Sequence, residues 1–185
     1  MREMKSLYEN VIVAGFGGQG VLFIGRLLAY AAMRDGRNVT WIPSYGPEMR
    51  GGTANCTVVI SNEVIGSPVI TSPNALIVMN NPSLDTFEHR LKTDGLLIMN
   101  SSLITREAKR NDVRAIKVPA NKIASELGND RAANMVMLGA YIAHKKVVTK
   151  ENILEALKKY LGEKKMALFE TNKAALEKGI EIGSL

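Results

Sequence analysis

The sequence predicts a three-layer α/β domain with a mixed, mainly parallel sheet, one β-hairpin and a helical C-terminal region. Three observations carry this expectation. Short β-branched runs alternate with helical periodicity as far as residue 127, and helical patterns alone follow to the end. The first strand enters its helix through a glycine-rich turn, GFGGQG at 15–20. At 185 residues the chain has the size of one domain and enough length to bury a core.

In chain order, NVIVAG (10–15) is a β-branched run ending at glycine and reads as a buried strand. Residues 20–34 place Val21, Ile24, Leu28 and Ala31 on one helical stripe, until DG at 35–36 stops the helix. NVTWI (38–42) is the second strand and completes a β-α-β unit. PSYGPEMRGG (43–52) holds two prolines and three glycines with neither period, so it reads as a loop leaving the carboxyl end of that strand. TANCTVVIS (53–61) alternates, NE can turn it, and VIGSPVI (64–70) returns, which predicts the hairpin. NALIVMN (74–80) is a further buried strand, with a helix starting near Pro82 or Ser83. GLLIMNSS (95–102) and VRAIKVP (113–119) are the last strands, and helices are expected at 120–127, 131–144, 150–160 and 165–177. The single domain, 1–185, thus divides into an α/β core at about 10–145 and a helical tail at about 146–185, a candidate for dimerisation or docking.

Net charge is +6, from 24 Lys and Arg against 18 Asp and Glu. The lysines of TKENILEALKKYLGEKK alternate with glutamates, as on a solvated helix face, and no basic run is interleaved with aromatics. Nucleic acid is therefore not an expected partner. No apolar run reaches the roughly 18–20 residues that span a bilayer, and MREMKSLYEN lacks a secretory apolar region. A cytoplasmic protein without membrane contact is expected. One cysteine, Cys56, cannot supply the about four thiolates of an iron–sulfur cluster, and His89 and His144 lie far apart, so no metal site is expected.

GFGGQG fits G-x-G-x-x-G at Gly15, Gly17 and Gly20 in the strand–turn–helix context of a Rossmann-like fold. Such glycines permit positive φ and let a phosphate approach N–H groups at a helix N-terminus. The ribose-binding acid expected at the end of the second strand is missing, since VTWIPS stands there. The turn is open to two readings, a dinucleotide site or a tight turn that holds another anion or a partner's loop. In SYGPEMRGGTANC (44–56), Tyr45, Glu48 and Arg50 are bracketed by glycines, with Arg50 the natural anion clamp. Both loops should lie at the carboxyl edge of the sheet. Glu48 and Arg50 also fit plain surface positions. Cys56 reads as a small buried hydrophobe, Asn134 as a cap or a partner of neighbouring backbone, and Met135 and Met137 as packing.

The pair GFGGQGV and SYGPEMRGGTANCTVVIS, continued by IGSPVI, ALIVMN and RAANMVMLGA, resembles the gamma subunit of the 2-oxoacid:ferredoxin oxidoreductases. The same unit forms a domain within single-chain pyruvate:ferredoxin oxidoreductases. The wording resembles the 2-oxoglutarate and ketoisovalerate (branched-chain) members most, with the indolepyruvate oxidoreductase beta subunit a related alternative. The resemblance implies a non-redox subunit, inactive alone, of an assembly that decarboxylates a 2-oxoacid, 2-oxoglutarate by preference, to an acyl-coenzyme A. Thiamine diphosphate, magnesium and iron–sulfur clusters would sit on alpha, beta and ferredoxin-like delta partners, because this chain lacks the family's GDG motif and the cluster cysteines. Ferredoxin would be reached through the complex, coenzyme A would be a co-substrate, and the isolated chain could pair as a homodimer. Gly15, Gly17, Gly18, Gln19, Gly20, Tyr45, Glu48, Arg50, Gly51 and Gly52 are the expected contact residues, and none is expected to be a catalytic acid, base or nucleophile. A different class of function, a stand-alone nucleotide-binding or regulatory module using Gly15–Gly20, predicts ligand binding by the isolated chain.

Overall fold

The computed structural model describes residues 7–44 and 52–184. Six strands form one sheet: β1 (Tyr8–Phe16), β2 (Asn38–Ser44), β3 (Thr53–Ser61), β4 (Ala75–Val78), β5 (Leu96–Asn100) and β6 (Arg114–Val118), in the order β2-β3-β1-β4-β5-β6. From β1 through β4 and β5 to β6 the pairing is parallel. β3 runs antiparallel to both its neighbours, β1 and β2, along its length. The sheet is mixed and mainly parallel, as expected.

The hairpin forms between different strands from those expected. Residues 64–70 are not a strand, and β3 pairs back onto β2, with Asn55 opposite Ser44 and Ser61 opposite Asn38. Pro68 removes a ladder donor from the expected return strand. Val64 and Val69 are left 89% and 72% exposed, and only Ile70 at its end is buried, so the segment lacks the alternating buried face that fixes a register. β3 instead pairs on both sides by inserting between β1 and β2, along its whole length with β1 and from Asn55 to Ser61 with β2.

Alternation along β1 divides the core in two. Val11 and Val13 face the larger cluster, which includes α1 (Val21–Arg34), α3 (Ala120–Glu126) and α4 (Ala133–Lys145). Ile12 and Ala14 face the smaller one, built with Leu76, Val78, Leu97, α2 (Asn81–Phe87) and Ile104. Short 3₁₀ turns follow α2 at Glu88–Arg90 and precede α4 at Asp130–Ala132. Met135 and Met137 are fully buried packing residues.

The C-terminal helices are part of this core. α5 (Lys150–Leu161) packs on α1, and α6 (Met166–Gly183) packs on α4 and runs past the expected end at 177. Ile153, Leu157, Ala175 and Leu176 are buried in the larger cluster. The α4–α6 contact is backbone on backbone. A Cβ at Gly139 would lie 2.1 Å from the Leu176 carbonyl oxygen, and one at Gly179 would lie 2.0 Å from that of Val136.

Candidate functional site

The turn after β1 is held from three sides. The Phe16 carbonyl accepts from Gln19 N–H at 3.1 Å, closing the turn. The Gln19 side-chain oxygen accepts from Phe16 N–H at 2.7 Å and from Asn80 Nδ2 at 2.9 Å. Buried Asn80 in turn caps α2, its Oδ1 accepting from Ser83 N–H at 3.0 Å. The glycine turn is thereby latched to the start of the next helix, across the point where connections leave opposite faces of the sheet. Gly18 and Gly20 adopt φ of 95° and 72°, the left-handed region that favours glycine.

Gly20 is the N-cap of α1 and supplies no side chain, and the helix has no acidic residue in its first turn. Ile24 N–H reaches the Gly20 carbonyl at 3.1 Å. Among the described residues no acceptor meets the N–H groups of Val21, Leu22 and Phe23. These open donors and the helix dipole favour an anion. They face a cleft of about 350 Å³ lined by Phe16, Gly17, Gly18, Gly20, the first turn of α1, Arg26, Ala54 and Tyr160. Arg26 stacks over the Trp41 ring at 5.0 Å, and Phe23 meets Tyr160 with ring centroids 4.9 Å apart.

The end of the second expected loop, Gly52, meets the glycine turn at this edge. The register sets Phe16 opposite Thr53, and Gly17 N–H donates to the Gly52 carbonyl at 3.2 Å. Gly15, Gly17, Gly18, Gln19, Gly20 and Gly52 are therefore brought together. Tyr45, Glu48, Arg50 and Gly51 lie outside the described residues.

Gly15 does not line the cleft. A Cβ there would lie 2.7 Å from Gln19 Oε1 and 2.9 Å from Met79 Cβ, so this glycine serves close packing. Asn134 donates through Nδ2 to the Gly20 carbonyl at 3.2 Å, as one of its expected roles required, while its buried Oδ1 has no partner among the described residues. Cys56 is buried with its thiol 3.5 Å from the Val21 carbonyl, and burial pushes its pKa up to about 12. It is a packing residue. Among the described residues no group of His, Cys, Asp and Glu could hold a metal ion, and no helix is long and apolar enough to cross a membrane.

Sequence reasoning missed Arg26, Asn80 and Tyr160. Asn80 carried a signal, an Asn two residues ahead of Pro82 at a helix start. Arg26 and Tyr160 did not, because only the packing of α5 on α1 brings Tyr160 to the cleft.

The inserted β3 bears on the dinucleotide reading of the turn. Strands in a sheet are spaced by about 4.8 Å, so β2 ends roughly two spacings from β1, with Ser44 where a ribose-binding acid would stand. The glycine turn of a dinucleotide fold is present, while the strand end that would carry its ribose-binding acid is displaced. The family model described as pyruvate ferredoxin/flavodoxin oxidoreductase matches residues 10–182. The chain belongs to this family.

Within the family, the chain is 44% identical over 174 residues to ketoisovalerate oxidoreductase subunit VorA of Methanothermobacter thermautotrophicus, covering 93% of this chain and 36% of that one. It is 33% identical over 177 residues to 2-oxoglutarate synthase subunit KorC of Methanocaldococcus jannaschii, covering 94% and 93% of the two chains. The chain thus spans about a third of the VorA relative's length and nearly all of KorC. The solved structure of the keto/oxoacid ferredoxin oxidoreductase gamma subunit from Geobacter sulfurreducens superposes with a TM-score of 0.84 at 30% identity, covering 96% and 97%. The α/β fold and the family expected from the two loop motifs are both borne out.

Proposed function

We propose that this chain acts as the gamma-type component of a 2-oxoacid:ferredoxin oxidoreductase, which converts a 2-oxoacid and coenzyme A into an acyl-coenzyme A and carbon dioxide, with electrons passing to ferredoxin. The observation that carries the reading is the joined edge, where the Gly17–Gly52 hydrogen bond ties the glycine turn to the end of the second motif, beside a start of α1 that has no side-chain cap among the described residues. This edge faces the thiamine-bearing alpha and beta partners. The open N–H groups of Val21–Phe23, with Arg26 beside them, suit a phosphate of coenzyme A, and Arg50 would add a second clamp. The chain's one cysteine leaves the clusters to partner chains.

Thiamine diphosphate and the clusters, when bound on companion subunits, supply the carbanion and electron-transfer chemistry. This chain's share is to bind, orient and exclude water. The glycines let backbone approach the ligand, Gln19 and Asn80 hold the turn in shape, and Tyr160 and Phe23 wall the cleft. Relatives are named for both ketoisovalerate and 2-oxoglutarate. Our first expectation, 2-oxoglutarate, is therefore assayed beside the branched-chain acid.

The test is reconstitution with the neighbouring oxidoreductase subunits, followed by dye reduction that depends on 2-oxoacid and coenzyme A. Activity should require this chain, and full activity without it would overturn the proposal. Arg50→Ala should raise the apparent KM for coenzyme A or oxoacid about ten- to a hundredfold, the loss of one charged hydrogen bond.

A further inference from the structure

A second cleft, of about 310 Å³, lies along the solvent side of α1 where α5 crosses it. Its floor is Leu27 and Ala156, both buried, and its walls are Tyr30 and Tyr160, 46% and 54% exposed. Three cations stand at its rim, Arg26, Arg34 and Lys159, against one carboxylate, Glu155. Glu155 sits 4.0 Å from Arg34, while Lys159 lies 5.9 Å from the centroid of the Tyr30 ring. α1 itself carries no acidic residue, and Met33, 59% exposed, extends its apolar surface. Exposed tyrosine and methionine beside arginine is the composition of an interface centre rather than of an ordinary solvated face. The cleft shares Arg26 and Tyr160 with the first one, so this surface continues directly from the edge described above.

The charge pattern selects the occupant. A second copy of this chain on a two-fold axis would set the same cations against one another, with Glu155 alone to offset them. A nucleic acid would bring its phosphates against Glu155 and leave the apolar floor unfilled. An acidic polypeptide segment satisfies both features at once. Its carboxylates meet the arginine forks and Lys159, and an apolar side chain seats on Leu27 and Ala156.

We propose that the α1/α5 face is the docking surface for an acidic segment of a partner subunit, with Arg34, Lys159, Tyr30 and Leu27 as its recognition elements. The inference rests on the functional reading above, which supplies the partner assembly. The face anchors the subunit beside the cleft at the start of α1 and so holds the joined loops against the partner's active site.

The test measures binding of the full chain to the purified partner subunits, in wild type and in Arg34→Glu/Lys159→Glu, across salt concentrations. Neither residue lines the first cleft, and both side chains are accessible, so the variant should fold, with a small loss of thermal stability from placing a carboxylate at the end of α1 beside Glu155. The association rate at low salt should fall at least tenfold, and the wild type's steep salt dependence should flatten. Arg34→Lys/Lys159→Arg should restore most of the rate. Equal rates and salt dependence in wild type and the reversed variant would overturn the docking surface. So would a wild-type homodimer that the reversal abolishes, or a single-stranded RNA oligomer whose binding the reversal abolishes. A wild-type chain that fails to bind the partners under any condition would instead overturn the functional reading itself.

Discussion

Gly20→Ala puts the turn's geometry to a direct test, because two separable costs meet at one atom. The backbone at Gly20 has φ of 72°, and a left-handed conformation costs an L-residue roughly 1–2 kcal/mol. The new Cβ would also stand 2.0 Å from Asn134 Nδ2, against the 3.0 Å or more that heavy atoms require. Asn134 is 5% exposed and its Oδ1 already lacks a partner, so swinging Nδ2 away leaves the whole amide unsatisfied. That adds about 1–3 kcal/mol, for a total of roughly 2–5 kcal/mol. Asn134→Ala removes the obstacle at small cost, since the Gly20 carbonyl keeps the Ile24 N–H. In that background Gly20→Ala should cost only the backbone share, about 1–2 kcal/mol, giving a coupling of about 1–3 kcal/mol between the two sites. Urea unfolding of the four proteins, followed by far-UV circular dichroism, measures it. Additivity within about 0.5 kcal/mol would refute the contact.

The α4–α6 seam predicts that Gly139→Ala or Gly179→Ala, each bringing a Cβ to about 2 Å from a facing carbonyl, destabilises the fold by about 1–3 kcal/mol or more, seen as a lowered Tm. Glu9 is buried and its pKa is raised, first by desolvation and against the pull of Lys145 at 3.2 Å. A raised folded pKa means that its contribution to stability is full below the unfolded value and is lost as pH rises through the folded one. Glu9→Gln removes that loss, so the Tm of the variant relative to wild type should climb from pH 4 to pH 8, and a flat or falling difference would count against the assignment. With the Cys56 pKa at about 12, the thiolate fraction at pH 8 is about one in ten thousand. A thiol reagent should leave the native chain unmodified for hours and label it stoichiometrically in urea; prompt native labelling would show that the site opens.

Most elements were legible because their periods are undiluted. β1, α1, β4 and β5 combine apolar runs with clear stops, and their structural bounds differ from the sequence-based ones by one or two residues. The hairpin was misread because alternation in 53–61 shows that a strand is half-buried without naming its partners. The register is set by β2, which lies just before it across a loop, and by β1, about forty residues earlier, and neither is marked in the alternation itself. The glycine turn was legible as a turn, yet its fixing by Gln19 and Asn80 joins residues 61 apart. Asn134 reaches Gly20 across 114 residues, and that pairing has no local pattern at all.

One insertion in the sheet accounts for the divided character of the site. In a dinucleotide fold the second strand lies beside the first, so its terminal acid reaches the ribose of a ligand whose pyrophosphate sits on the helix. Here β3 occupies that neighbouring lane, running the opposite way, and delivers the start of its own chain, Gly52 and Thr53, to the mouth of the turn. The lane change moves the end of β2 away from the turn and brings the start of β3 beside it. The helix terminus keeps its geometry, and among the described residues no acceptor meets the N–H groups of Val21, Leu22 and Phe23. What remains is a glycine turn and a helix start whose neighbour across the Gly17–Gly52 hydrogen bond is the beginning of β3 rather than the end of a parallel strand. On the functional reading proposed above, a ligand there would be held by its phosphate at the start of α1, with the rest of its contacts left to a partner chain.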